Sequence, residues 1–342
     1  MTYRRGVLRC LAAAVLFGAS APAASALAGD MPTLILASLL YIGAALAVVP
    51  SCVRRPPRAS AVRSSWRPLA VAVLFGGALG PALLVAGLAQ VPAATASLLL
   101  NFELTATMFV AAAVFREHLG HRLILASGLI TVAGGALVFQ PGIGFSVGAL
   151  LVIAACVCWG VDNSVTARID QLSPQHVVLA KGFVAGVANL VLGVTLAGAW
   201  QPTGRDLVAA LAVGCVGYGL SITLWVLGAR DLGAARGQVI FAAAPFIGAL
   251  IAWSTLGEPV TKAQLLSIPL AAAGVALSLR TSHEHIHRHE TTVHEHEHSH
   301  DDGHHDHGHV ESEPARHTHR HEHPELVHSH THVPDLHHVH AH

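Results

Sequence analysis

The sequence predicts an all-α integral membrane protein: ten transmembrane helices as two inverted five-helix repeats, followed by a disordered cytoplasmic tail. Three observations predict it. The 342-residue chain is 53% hydrophobic and only 12% charged, about half the charged fraction of a soluble domain. Its apolar segments recur at bilayer length with turn or charge signals between them. Charge is also divided unevenly. Residues 1–280 hold seventeen Lys and Arg against eight acids, a balance of +9, while residues 281–342 hold three Arg against twelve acids, a balance of −9 with His neutral. Eight acids are too few to cover a water-facing surface over that length.

A bilayer core of roughly 30 Å needs about 20 apolar residues per helix. Ten segments meet that requirement: 8–27, 31–50, 68–88, 92–114, 122–139, 145–166, 176–199, 206–229, 233–256 and 262–280. "GDMP", "RRPPRAS", "REHLGHR", "FQPGIG", "QPTGRD" and "LGEPVTK" punctuate them, and the tightest break is "ARDLG" at 229–233. The first segment, with its basic start, apolar middle and small residues near position 25, also has the form of a cleavable signal peptide. The loop charges argue against cleavage. With the N-terminus in the cytoplasm, thirteen arginines fall on the cytoplasmic side, and Arg205 and Lys262 fall on the other, as the positive-inside rule requires. Ten spans also return the tail to the cytoplasm. A bacterial-type inner membrane is the location this predicts, with no nucleic-acid partner and with a homodimer left open.

The membrane part repeats itself. "GLAQVPAATASL" (87–98) aligns with "GARDLGAARGQV" (228–239) at an offset of 141, and the same offset places Glu117 on Glu258. At an offset of 142, Phe17-Gly18 meets Trp159-Gly160. The halves are 1–140 and 141–280, with the tail at 281–342. Five spans per half is an odd number, so the halves enter the membrane from opposite sides, as in secondary transporters with a site between the repeats.

The aromatic-Gly pair in the first span of each half, and the Glu before a Gly-rich last span, resemble the EamA-type family of the drug/metabolite transporter superfamily. The resemblance covers residues 8–280. Two positions depart from the family pattern: Leu104 follows Glu103 where proline is common, and Ala244 precedes Pro245 where an acid is common. The resemblance implies a ten-helix secondary carrier, not an enzyme, that exports small metabolites or toxic compounds. No GxxxxGK[ST] loop occurs in the sequence, so an ion gradient or the substrate's own gradient would supply the energy.

A charge at bilayer depth costs about 2.5 to 3.5 kcal/mol on insertion scales and marks a functional candidate. Glu103 lies midway along the fourth span beside Asn101, and Asp162 lies in the sixth beside Asn163 and close to Trp159. A carboxylate withdrawn from water holds its proton more tightly, which suits proton coupling. These five residues and Gln238 form the expected transport and coupling set. Glu117 and Glu258 sit at span ends, where a salt bridge or a helix-terminus charge is the expected role. Lys181 can snorkel to the interface. Trp225 and Trp253 suit packing or interfacial positions. Cys10, Cys52, Cys156, Cys158 and Cys215 form no CxxC and read as buried thiols.

The tail holds 23 of the 26 histidines in six clusters. Those of the first four clusters are His283, His285, His287, His289, His294, His296, His298, His300, His304, His305, His307, His309, His317, His319, His321 and His323. Alternate residues of an extended chain share a side, so imidazoles at that spacing converge on a Zn, Ni, Co or Cu ion. The segment has too few apolar residues for a core and is expected to be disordered. It would gain positive charge below about pH 6.5. No cofactor is required. Two functions follow: an organic-solute exporter with a metal-binding tail, which the scarcity of metal ligands in the spans favours, or a divalent-metal exporter whose tail collects or senses the ion. A membrane-anchored metal store is a third.

Overall fold

The computed structural model describes residues 2–115, 120–140, 144–166, 168–169, 171–196, 203–232, 237, 240–278, 283–289, 292–299, 316–323 and 326–332. The chain divides into two units, Met1–Thr281 and Ser282–His342. The first is helical: α1 (Thr2–Ala28), α2 (Thr33–Arg54), α3 (Trp66–Leu88), α4 (Ala93–Val114), α5 (His121–Val138), α6 (Val147–Thr166), α7 (Pro174–Leu196), α8 (Gly204–Ala229), α9 (Ala244–Thr255) and α10 (Lys262–Ser278). Among the described residues, eight helices, α1 to α8, are long and apolar enough to cross a membrane. The other two expected spans are represented by shorter apolar helices, α9 with 12 residues and α10 with 17. Residues 233–236 and 238–239, which open the ninth expected span, lie outside the described set.

The helix ends follow from local chemistry. Pro32 precedes α2, Pro92 precedes α4, and Pro174 opens α7; a proline there costs nothing, because the first-turn N–H groups have no intrahelical acceptor. Thr203 caps α8 by accepting the Asp206 N–H. Thr261 and Gln264 form a reciprocal capping box at α10, each side chain accepting the other's backbone N–H. A two-residue hairpin, β1 (Phe139–Gln140) with β2 (Gly144–Phe145), joins α5 to α6.

Packing interleaves the two halves of this unit. α1 lies on α8 and α9, α6 on α3 and α4, α2 on α7 and α8, α7 on α2 and α3, α4 on α9, and α5 on α10. Shifting each number by five maps these contacts onto themselves. The closest approaches use glycine: a Cβ on Gly18 would strike the backbone of Ala244, and one on Gly160 the backbone of Ala106 and Thr107. Small residues permit such contact where lipid supplies no hydrophobic driving force. Irregular turns recur as well. α3 widens to a π-helix over Val73–Leu79 and α8 over Gly214–Leu220, an offset of 214 − 73 = 141. α4 breaks at residues 100–101, and a turn at 242–243 precedes α9, an offset of 142. A third π segment, Lys181–Ala185 in α7, has no counterpart in α2, which is α-helical throughout.

The tail differs from expectation. Its described backbone forms strands β3 (His283–His289), β4 (Thr292–Ser299), β5 (Arg316–His323) and β6 (Leu326–His332), paired antiparallel as β3 with β6 and β4 with β5. The His-x alternation has period two, which is also the strand period. The register sets histidine opposite histidine, for example His285 with His330 and His296 with His319.

Candidate functional site

Glu103 sits midway along α4 and faces a cavity of about 150 Å³ shared by α1, α2, α4, α6, α7 and α8. Polar, aromatic and aliphatic side chains line it, the last being Ala44, Val178 and Ile222. The polar ones are Glu103, Asp162, Asn163 and Lys181, and the aromatic ones are Phe17, Tyr41, Trp159 and Tyr218. A second chamber, of about 210 Å³, shares Phe17, Glu103 and Asn163 with the first and extends past Asn101 toward Phe241 and Pro245. Those three residues therefore form the partition between the chambers.

Asp162 and Lys181 are an ion pair. Lys181 Nζ lies 2.6 Å from Asp162 Oδ2, with side chains 14% and 6% exposed respectively. The second carboxylate oxygen accepts the Thr166 hydroxyl at 3.0 Å. Instead of snorkelling outward, as its position near a span end suggests, Lys181 turns inward to this acid. An unpaired charge there would be far costlier than the pair. Glu103 has a different partner: Asn163 donates an amide N–H to its Oε1 at 2.7 Å, and reaches Thr107 at 3.4 Å. Among the described residues, Glu103 forms no salt bridge.

Gly76 organises the aromatic wall. It lies in the π segment of α3, where Gly80 gives its N–H to Phe75 and Pro81 has none to give. The Gly76 carbonyl is left open and accepts two side-chain donors, the Tyr41 hydroxyl at 2.6 Å and the Trp159 indole N–H at 3.3 Å. The Asp162 carboxylate fills the position a Cβ on this residue would take. The ring contacts continue from Tyr41 to Tyr218 and from Tyr218 to Phe17, each with centroids 5.9 Å apart, and on to Phe241.

The residues expected from sequence are thus largely gathered. Glu103, Asp162, Asn163 and Trp159 share the first cavity, and Asn101 lines the second. The Asn101 amide is turned to the Leu98 carbonyl at 2.9 Å. Gln238 and Glu117 lie outside the described residues. Glu258 is a helix-terminus charge: it accepts the backbone N–H groups of Ala93 and Ala94 at 2.6 and 2.9 Å, capping α4. Trp225 and Trp253 line neither chamber. Their indole N–H groups are buried without an acceptor among the described residues. Phe17, Tyr41 and Tyr218 are additions. Phe17 is the repeat mate of Trp159, and Tyr41 and Tyr218 are two of only three tyrosines in the chain.

Among the described residues, no three His, Cys, Asp or Glu side chains converge. Of the tail histidines proposed as ligands, His300, His304, His305, His307 and His309 lie outside the described residues, and the others are described in backbone alone.

A family model described as the EamA-like transporter family matches the chain twice, over residues 4–139 and 146–280. An uncharacterized transporter of Methanothermobacter thermautotrophicus is 24% identical over 296 residues, covering 79% of this chain and 84% of its own. An uncharacterized protein of Pseudomonas aeruginosa is 27% identical over 248 residues, covering 70% of this chain and 81% of its own. A solved crystal structure superposes with a TM-score of 0.58 at 19% identity, over 80% of this chain and 96% of the other; at that identity the likeness is of fold alone.

Proposed function

The chain belongs to the EamA-like transporter family, and from the site it carries we propose that it is a secondary transporter that exports a small organic metabolite or toxic compound by ion-coupled alternating access. It is a multi-pass membrane protein, not an enzyme. In this reading its two halves are inverted five-helix repeats in a bacterial-type inner membrane, with both termini cytoplasmic. The twofold match of one family model, the contacts that map onto themselves and the π segments at one offset support the paired repeat.

One observation carries the reading. A cavity with a half-buried carboxylate and a largely buried ion pair lies where helices of both matched segments meet, and every charge in it is costly unless used. Glu103 is the coupling group in this mechanism. Protonation weakens its hold on Asn163, and Phe17, Glu103 and Asn163 then separate to join the chambers. Asp162 and Lys181 hold α6 against α7 while that happens.

The test is access to Ala44, a buried residue on the cavity wall. Ala44→Cys in membrane vesicles would be challenged with an impermeant maleimide from either face. The wild-type chain is the baseline, because none of its five cysteines lines the cavity. Labelling from both faces is expected. Labelling from one face alone sinks the carrier reading.

The tail, in the same proposal, binds Zn, Ni, Co or Cu through its alternating histidines and buffers metal at the cytoplasmic face. The second reading makes the metal itself the cargo. Uptake of Ni²⁺, Co²⁺ and Zn²⁺ into everted vesicles separates the two: uptake that survives truncation after Thr281 but fails in Glu103→Gln makes metal the substrate.

A further inference from the structure

We infer that the cargo is a compact organic cation, an ammonium with an apolar body, bound against Glu103 and the aromatic wall; this deepens the carrier reading and rests on it.

The argument begins with charge. Asp162 and Lys181 neutralise each other across 2.6 Å. Glu103 is then the carboxylate in the cavity without a cationic partner among the described residues, so the cavity with Glu103 ionised carries one net negative charge. Among the described residues, no Lys or Arg lines the second chamber, and Glu103 borders it too. A cation passing from one chamber to the other keeps the same counter-charge. An anion meets an uncompensated carboxylate in both.

The hydrogen-bond inventory points the same way. Lys181 is charge-paired with Asp162, which takes one of its three ammonium N–H groups. The Asn163 amide is spent on Glu103 and Thr107. The Tyr41 hydroxyl and Trp159 N–H are both spent on the Gly76 carbonyl. An incoming carboxylate or phosphate would have to displace those partners, or compete with Asp162 for the Lys181 ammonium. What the wall retains is acceptor capacity on Glu103, where Asn163 is the one donor to its two oxygens among the described residues, and the aromatic rings themselves. The Tyr41 and Trp159 rings, with their polar handles tied to Gly76, and the Phe17 ring offer π surface, which attracts ammonium groups.

The experiment uses full-length Ala44→Cys chain in vesicles, with protection from maleimide as the readout. The probes are choline and benzyltrimethylammonium as cations, 3,3-dimethylbutan-1-ol as the neutral isostere of choline, and 3,3-dimethylbutanoate as the anion. At least one cation should protect at a concentration tenfold or more below the alcohol, and the anion should not protect. Adding Glu103→Gln should reduce the preference to within twofold, while Glu103→Asp should retain most of it. Phe17→Leu with Tyr218→Leu removes two rings and should weaken protection by the cation several-fold while leaving the alcohol unchanged, a check that stands if Glu103→Gln does not reach the membrane. Equal protection by alcohol or anion, a preference that survives Glu103→Gln, or no protection by either cation overturns the inference. Two-sided labelling without cation preference leaves the carrier reading standing; one-sided labelling removes the carrier reading itself.

Discussion

Lys181 Nζ of α7 lies 2.6 Å from Asp162 Oδ2 of α6, both side chains largely withdrawn from the surface. Removing one partner strands the other. Lys181→Met and Asp162→Asn should each cost about 3–5 kcal/mol, whereas the double variant should cost much less than their sum. Unfolding of the purified protein in mixed micelles measures all three. A double variant as unstable as the two single losses added together contradicts the pairing.

Gly76→Ala directs a methyl group into the Asp162 carboxylate and should lower both the yield of folded protein and its thermal stability. Gly128 in α5 has open space at its Cβ position, so Gly128→Ala should be neutral or stabilising by about 0.5–1 kcal/mol. Melting temperatures of the two variants should move in opposite directions. Equal shifts would mean the contact at Gly76 is relieved at no cost.

Tyr41→Phe and Trp159→Phe each remove one of the two donors on the Gly76 carbonyl. Each should cost about 1 kcal/mol through the lost bond. Together they leave a buried carbonyl with no side-chain donor, and a double-mutant cycle should show about 0.5–3 kcal/mol of extra loss. Simple additivity would show that water replaces the second donor.

Glu258→Ala removes the carboxylate that caps α4 at Ala93 and Ala94. The expected loss is about 0.5–2 kcal/mol. Hydrogen exchange should localise it to faster exchange at the first turn of α4. Unchanged exchange there would refute the capping role.

Truncation after Thr281 removes the 23 tail histidines. Calorimetric titration with Ni²⁺ should show several sites in the full-length chain and their loss in the truncated one, with unchanged melting of the helical unit in metal-free buffer. Retained multi-site binding would move the metal ligands into the membrane part.

Most of the fold was legible because hydropathy at bilayer length is a strong signal, and eight expected spans coincide with helices long enough to cross. The ninth is interrupted: apolar residues on both sides of 242–243 satisfy a composition window, but the backbone turns there. In the tail, composition argues for disorder, while the period-two alternation also suits a strand. Within the site, Glu103, Asp162, Asn163 and Trp159 were legible because polar groups are rare in these spans. The role of Lys181 was not, since its partner lies 19 residues away across a loop and either a snorkelling or a buried lysine fits the same apolar run. The π segments leave no pattern in side-chain chemistry. Their matching offset emerged only from the backbone.

The unmatched wide turn of α7 begins at Lys181, and in α2 a leucine stands at the aligned place; the residue aligned with Asp162 is Ser20. A carrier built of interchangeable halves would dwell equally on both sides of the membrane. With the ion pair and its softened helix confined to one half, the proposed cycle acquires a default side. The ratio of dwell times between the two orientations is then set by this asymmetry before any gradient is applied.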